Sequence, residues 1–124
     1  MGLFSGLLGN AGVVDVDRLL EDYGQLLADE EEIQVGFKVV RDTFIFTNKR
    51  MILVDIQGLT GRKTEYLSIP YSKISKFSVE TAGRMDLDAE LKLWIGSDPN
   101  PLTKKFDTSV SVYDVQKILA TYCK

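Results

Sequence analysis

Residues 42–83 read D-T-F-I-F-T-N-K-R-M-I-L-V-D-I-Q-G-L-T-G-R-K-T-E-Y-L-S-I-P-Y-S-K-I-S-K-F-S-V-E-T-A-G. β-Branched and aromatic runs follow one another with only short polar or glycine-bearing breaks, the pattern of an antiparallel meander. Strands are expected over 44–47, 50–57, 64–69 and 74–80. Asn48 and Lys49 form one turn, and Gly58-Leu59-Thr60-Gly61 supplies two glycines able to take positive φ at the next. Pro70 has no N–H to give to a ladder, so it marks a strand end or a sheet edge. The 50–57 segment sets the strongest condition. Ile52, Val54 and Ile56 fall on one face and Met51 and Leu53 on the other, so both faces need apolar cover.

The flanking sequence offers that cover. Residues 1–14 are apolar and glycine-rich, with Leu3, Phe4, Leu7 and Leu8 at helical spacing. Such a segment serves as a lid on the domain, or as a contact surface for another subunit or a membrane. The first basic residue is Arg18, which argues against lipid. Asp15 caps a helix running to about residue 29, with Val16, Leu19, Leu20, Tyr23, Leu26 and Leu27 as its apolar stripe. The run Asp29-Glu30-Glu31-Glu32 opposes the helix dipole, so the helix should stop before Glu31 and the run should be a solvated loop.

Ile33, Val35, Phe37 and Val39 alternate as a strand, and Arg41-Asp42 makes a tight turn. Residues 86–95 alternate most regularly. Leu87, Ala89, Leu91, Leu93 and Ile95 point one way, and Asp86, Asp88, Glu90, Lys92 and Trp94 the other. A short last strand is expected over 104–108. Ser111 then opens a terminal helix, with Asp114 three residues on and Val110 and Val115 placed as a staple. Its buried stripe is Val112, Val115, Ile118, Leu119 and Tyr122. The order is two helices, about seven strands and a closing helix, a mainly β (α+β) chain whose free edges are removed if the sheet curls and a helix plugs one end.

At 124 residues the chain suits one domain. It contains no histidine, which removes His-based triads, His general bases and most zinc sites. Its single cysteine, Cys123, forms no intrachain disulfide, fits a reducing compartment and has no histidine to activate it, so it is read as inert. A net charge of −3 without a basic stripe argues against nucleic acid. The pairs Lys49/Arg50, Arg62/Lys63 and Lys104/Lys105 read as solvated turn residues. No apolar run approaches bilayer length, no secretory signal is visible, and Gly6 stands where a myristoylation motif needs Ser or Thr. These features point to a cytoplasmic protein.

Asp86, Asp88 and Glu90 share a strand face at spacings of about 7 Å, but no further oxygen ligands complete a cage, and they read as solvated. Gly58 and Gly61 precede no helix, so there is no phosphate loop. No catalytic, cofactor-binding or metal residue is assigned, and no cofactor is expected.

Three segments carry a resemblance: F-I-F-T-N-K-R-M-I-L-V-D-I-Q-G-L-T-G-R-K at 44–63, Y-L-S-I-P-Y-S-K-I-S-K-F-S-V-E-T-A-G at 66–83, and L-D-A-E-L-K-L-W-I at 87–95. With L-F-S-G-L-L-G at 3–9, the chain resembles the small bacterial pleckstrin-homology (PH-like) proteins. The resemblance implies a seven-stranded PH-like split barrel with a C-terminal capping helix, here at 32–124, behind an N-terminal helical extension at 1–31. It also implies ring-like homo-oligomers whose subunits meet edge to edge, and no enzymatic activity. Eukaryotic PH domains often hold phosphoinositides with basic residues between their first two strands. Here that stretch, Lys38-Val39-Val40-Arg41-Asp42, has two cations, and inositol-lipid recognition is not carried over.

Trp94 falls on a polar strand face, and tryptophan is enriched at interface hot spots. It is expected to contact another subunit or to pack beneath the N-terminal helices. With Leu3, Phe4, Leu7 and Leu8 it makes the candidate oligomer interface. The expected function is an interaction module that self-assembles and binds a protein partner. The alternative is peripheral binding of anionic phospholipid through Lys38, Arg41, Lys49, Arg50, Arg62 and Lys63.

Overall fold

The computed structural model describes residues 14–39, 42–58, 63–81, 88–107 and 112–123, with the side chains of 39, 88, 106, 107 and 112 left aside. Among these residues run α1 (Val16–Tyr23), β1 (Ile33–Val39), β2 (Asp42–Thr47), β3 (Arg50–Gln57), β4 (Lys63–Pro70), β5 (Ile74–Thr81), β6 (Asp88–Ile95), β7 (Leu102–Asp107) and α2 (Val112–Tyr122). The strands form two antiparallel sheets rather than one closed surface, β1-β2-β3-β4 and β5-β6-β7. Pro70 ends β4, as its missing N–H requires, and a 3₁₀ turn at Tyr71–Lys73 leads into the second sheet. The two sheets and the terminal helix make the expected split barrel.

The alternation rule holds where it was clearest. Ala89, Leu91 and Leu93 of β6 are buried, while Glu90, Lys92 and Trp94 stand partly exposed on the outer face. Val115, Ile118 and Leu119 of α2 are buried and Tyr122 packs beside them. The main core joins these to Phe37, Phe44, Phe46, Met51, Leu53 and Ile69. Phe37 lies 5.5 Å from Phe44 and 5.9 Å from Phe46, Phe46 lies 6.0 Å from Tyr122, and Tyr122 stacks on Tyr71 at 5.3 Å. This aromatic file ties the first sheet to α2, at spacings where ring pairs attract beyond their buried area.

The opposite face of the first sheet has its own cluster, Leu19, Ile33, Ile45, Ile52 and Val54, flanked by Val14, Val16, Tyr23, Leu26 and Leu27. The two-sided apolarity of 50–57 is met: α2 and the second sheet lie beyond one face and α1 covers the other. β2 is buried along its whole length as well. An eight-residue helix is unstable alone; α1 is held by burying Leu19, a contribution of about 2 kcal/mol. Leu19 sits over Gly36, where an added Cβ would come within 2.5 Å of Leu19 Cδ1 and 3.2 Å of the Phe44 carbonyl oxygen.

Four expectations are corrected. The N-terminal helix ends at Tyr23, not near 29, because Gly24 caps it and a 3₁₀ turn follows at Gly24–Leu26. Leu20 is 43% exposed rather than part of the buried stripe. Leu19 takes the inward position of this two-turn helix, and the next residue points about 100° away. Asp42 is the first residue of β2, paired with Val39, rather than part of a turn. Glu31 is buried, not solvated. Leu3, Phe4, Leu7, Leu8, Arg41, Arg62, Asp86, Leu87, Val110 and Ser111 lie outside the described residues.

Replacing Gly36 with Ala should lift α1 from the sheet and destabilise the protein by about 1–3 kcal/mol, the range for overpacking a tight contact. Urea unfolding at fixed protein concentration measures the loss; unaltered stability would mean that the helix does not need this approach.

Candidate functional site

Two clusters withdraw charged side chains from the surface. Arg50, expected at a solvated turn, reaches inward from the start of β3. Its Nε and Nη2 donate to Glu31 at 2.8 and 2.9 Å, Nη2 also donates to the Leu26 carbonyl at 2.7 Å, and Nη1 to Ser68 Oγ at 2.7 Å. Glu31 further accepts from the Thr47 hydroxyl at 2.7 Å and the Ala28 N–H at 2.8 Å. Glu30, with φ of 64°, occupies the turn that leads into Glu31. Hydrogen bonds from Arg50 first, then from Ala28 and Thr47, hold the Glu31 carboxyl down at about 2 against the pull of burial. Arg50 therefore ties the α1 return loop to β2, β3 and β4, and is not free for a lipid.

Lys104 is likewise not a turn residue. It lies on β7 and reaches across to the first sheet, with Nζ 3.0 Å from Asp42 and 3.3 Å from Asp55. The two carboxylates come next in register beyond the Thr43–Val54 pair and stand opposite each other on neighbouring strands, where like charges repel. Burial works to lower the ammonium pKa, but the two carboxylates outweigh it and leave it above the ordinary lysine value. Asp42 also accepts from the Ile56 N–H at 2.9 Å.

The remaining predicted cations divide between two ends of the first sheet. Lys38 and Lys63 are exposed near the β1–β2 and β3–β4 turns. Lys49 is exposed in the β2–β3 turn, a strand length of about 20 Å away. Among the described residues these cations make no single patch. Trp94 stands half-buried on the outer face of β6, opposite Lys76 of β5, whose Nζ lies 4.7 Å from the ring centroid. Glu90 of the acidic strand face pairs loosely with Lys92 at 3.9 Å. Among the described residues no group of three or more His, Cys, Asp or Glu is placed to hold a metal. Burial pushes the half-buried Cys123 thiol up to about 11, which keeps it protonated at neutral pH.

One concave feature was missed in the sequence. A cleft of about 210 Å³ lies between α1 and the β1–β2 hairpin, lined by Val14, Arg18, Leu19, Asp22, Tyr23, Lys38 and Thr43. The Val14 N–H donates to the Gly36 carbonyl at 3.0 Å and fixes the inner wall. Burial raises the Tyr23 phenol pKa, Asp22 and Tyr66 add to this, and a hydrogen bond with Thr43 works against it. Gly36, a glycine inside a strand pattern, is the sequence signal for a helix lying this close.

A family model described as bacterial PH domain matches residues 2–123. The chain is 52% identical over 124 residues to uncharacterized protein YjqA of Bacillus subtilis (strain 168), covering 99% of each. Its structure is similar to that of a pleckstrin homology domain from Shewanella amazonensis SB2B, with a TM-score of 0.82 and 48% identity over 99% of each chain. It is also similar to a DUF1696 family protein with a pleckstrin-homology domain from Shewanella loihica PV-4, with a TM-score of 0.79 and 46% identity, covering 94% of this chain and 99% of that one. Among the described residues no helix is long and apolar enough to cross a membrane.

Two titrations test the buried clusters. The Glu31 carboxyl sits near 2 when folded against an ordinary 4.5, so its stabilisation is complete above pH 4.5 and drains away as pH falls towards 2. Glu31→Gln should cost about 3 kcal/mol at pH 7, and its gap to the parent should narrow over that acid window in urea unfolding; a gap constant with pH would refute the assignment. Lys104 has the opposite sign. Its stabilisation is present below the ordinary lysine value of 10.5 and is lost as pH climbs past the raised folded one. Lys104→Met should cost about 2 kcal/mol at neutral pH, a difference that alkaline unfolding curves should show closing.

Proposed function

The chain belongs to the bacterial PH domain family, and on that footing we propose that it is a non-enzymatic interaction module that assembles into a ring-like homo-oligomer and presents its remaining surface to a protein partner. What supports this reading is β4. This eight-residue strand stands at the margin of its sheet, and Lys63, Glu65, Tyr66, Ser68 and Pro70 are exposed along it. The outer backbone groups of such a strand are a template for a strand of another copy. Tyr66 is 50% exposed and braced edge-on against Tyr23 at 6.5 Å, which gives the margin a rigid aromatic of the kind that anchors interfaces.

In this reading Trp94 and the N-terminal Leu3, Phe4, Leu7 and Leu8 add further contacts, and each subunit buries about 800 Å² in a standard-sized contact. Peripheral binding to anionic phospholipid has less support. Arg50 is engaged by Glu31, and Lys49 lies at the far end of the sheet from Lys38 and Lys63.

Light scattering on the purified protein should give a mass that is a multiple of 13.9 kDa. Tyr66→Asp should lower that mass while leaving the circular dichroism of the fold unchanged. A parent protein that runs at the single-chain mass in dilute solution would overturn the assembly. An unchanged mass in Trp94→Ala would remove that residue from the contact.

A further inference from the structure

The cleft between α1 and the β1–β2 hairpin meets the assembly reading only where Tyr23 braces Tyr66, and its lining is chemically divided. Val14 and Leu19 supply apolar wall, the Tyr23 ring extends it, and Thr43, hydrogen-bonded with Tyr23, completes the inner lining. Arg18, Lys38 and Asp22 stand at the rim, which leaves one net positive charge. The three differ in availability. Arg18 and Asp22 face each other at 3.5 Å with side chains 70% and 48% exposed, an exposed i,i+4 pair that holds neither group firmly. Lys38 has no ion-pair partner among the described residues.

The inner wall is fixed by the bond from the Val14 N–H to the Gly36 carbonyl and by Leu19 over Gly36, so the depth is set by the fold. Apolar walls with a few placed polar groups are the chemistry of a small-molecule site, and a volume of about 210 Å³ admits only a small ligand.

We propose that this cleft binds a small amphiphilic monoanion, a short-chain carboxylate in chemical class. The apolar body lies against Val14, Leu19 and the Tyr23 ring. The carboxylate meets the Lys38 ammonium and draws Arg18 from Asp22. A single anionic head matches the single net charge of the rim, whereas a multiply charged head would meet Asp22. A ligand this small binds with a dissociation constant of about 1 mM.

Methyl NMR on the full-length protein tests the proposal, because methyl signals survive in large assemblies. Hexanoate is titrated, with acetate as the head alone and hexanol as the tail alone. The Val14 and Leu19 methyls should shift saturably with hexanoate and far less with either control. Lys38→Gln, at an exposed strand position, should weaken hexanoate about tenfold, the loss expected for one charged hydrogen bond. Lys49→Gln, at the other end of the sheet, should bind as the parent does. Unmoved Val14 and Leu19 methyls, acetate or hexanol matching hexanoate, or Lys38→Gln binding as tightly as the parent would each overturn it. A parallel sedimentation with phosphatidylglycerol vesicles separates the sources of such a head group. Vesicle binding that needs Lys38, without any response to free hexanoate, would assign the cation to a membrane surface and overturn the small-ligand site.

Discussion

The fold depends on two adjacent strands, β2 and β3, that are apolar on both faces. Phe44, Phe46, Met51 and Leu53 point to one side, and Ile45, Ile52 and Val54 to the other. Neither face can be left to water, since each fully buried side chain of this size contributes about 1.5–3 kcal/mol. One face is closed by the second sheet and α2. The other is closed by α1, a helix too short to stand alone. The N-terminal segment is therefore part of the folding unit as far as its described residues go, and the family match covers residues 2–123.

Charge is handled in the same economical way. Among the described residues no buried side-chain polar atom lacks a hydrogen-bond partner. The Glu31 carboxylate, which would be costly alone, is surrounded by an arginine, a hydroxyl and a backbone N–H. The ammonium of Lys104 joins the two sheets at a point where no ladder connects them. These clusters are spent on holding elements together. The margin of β4, the half-exposed Trp94 and the cleft beside α1 lie outside these two clusters.

The strands were legible because a period of two is written directly in residues such as Ala89, Leu91 and Leu93, and a two-sided strand announces itself in Met51–Val54. The terminal helix was equally plain from Val115, Ile118 and Leu119. What was not legible concerned partners distant in sequence. Arg50 finds Glu31 across 19 positions and Lys104 finds Asp42 across 62, and nothing local in K-R or K-K tells a buried partner from a solvated turn. The early end of α1 was signalled by Gly24, which the apolar stripe running on to Leu26 and Leu27 outweighed. The cleft was not legible either, because Arg18, Leu19, Asp22 and Tyr23 of α1 meet Lys38 and Thr43 of the β1–β2 hairpin only in the folded chain.

Lys104 also constrains how such a chain can diverge. Asp42 and Asp55 tolerate each other because one ammonium lies between them. A lineage that loses the lysine must soon neutralise a carboxylate, and one that loses both acids leaves a cation stranded in a seam between sheets. The three positions should drift as a linked set, inherited together or replaced together, although Lys104 lies 62 and 49 positions from the two acids along the polypeptide.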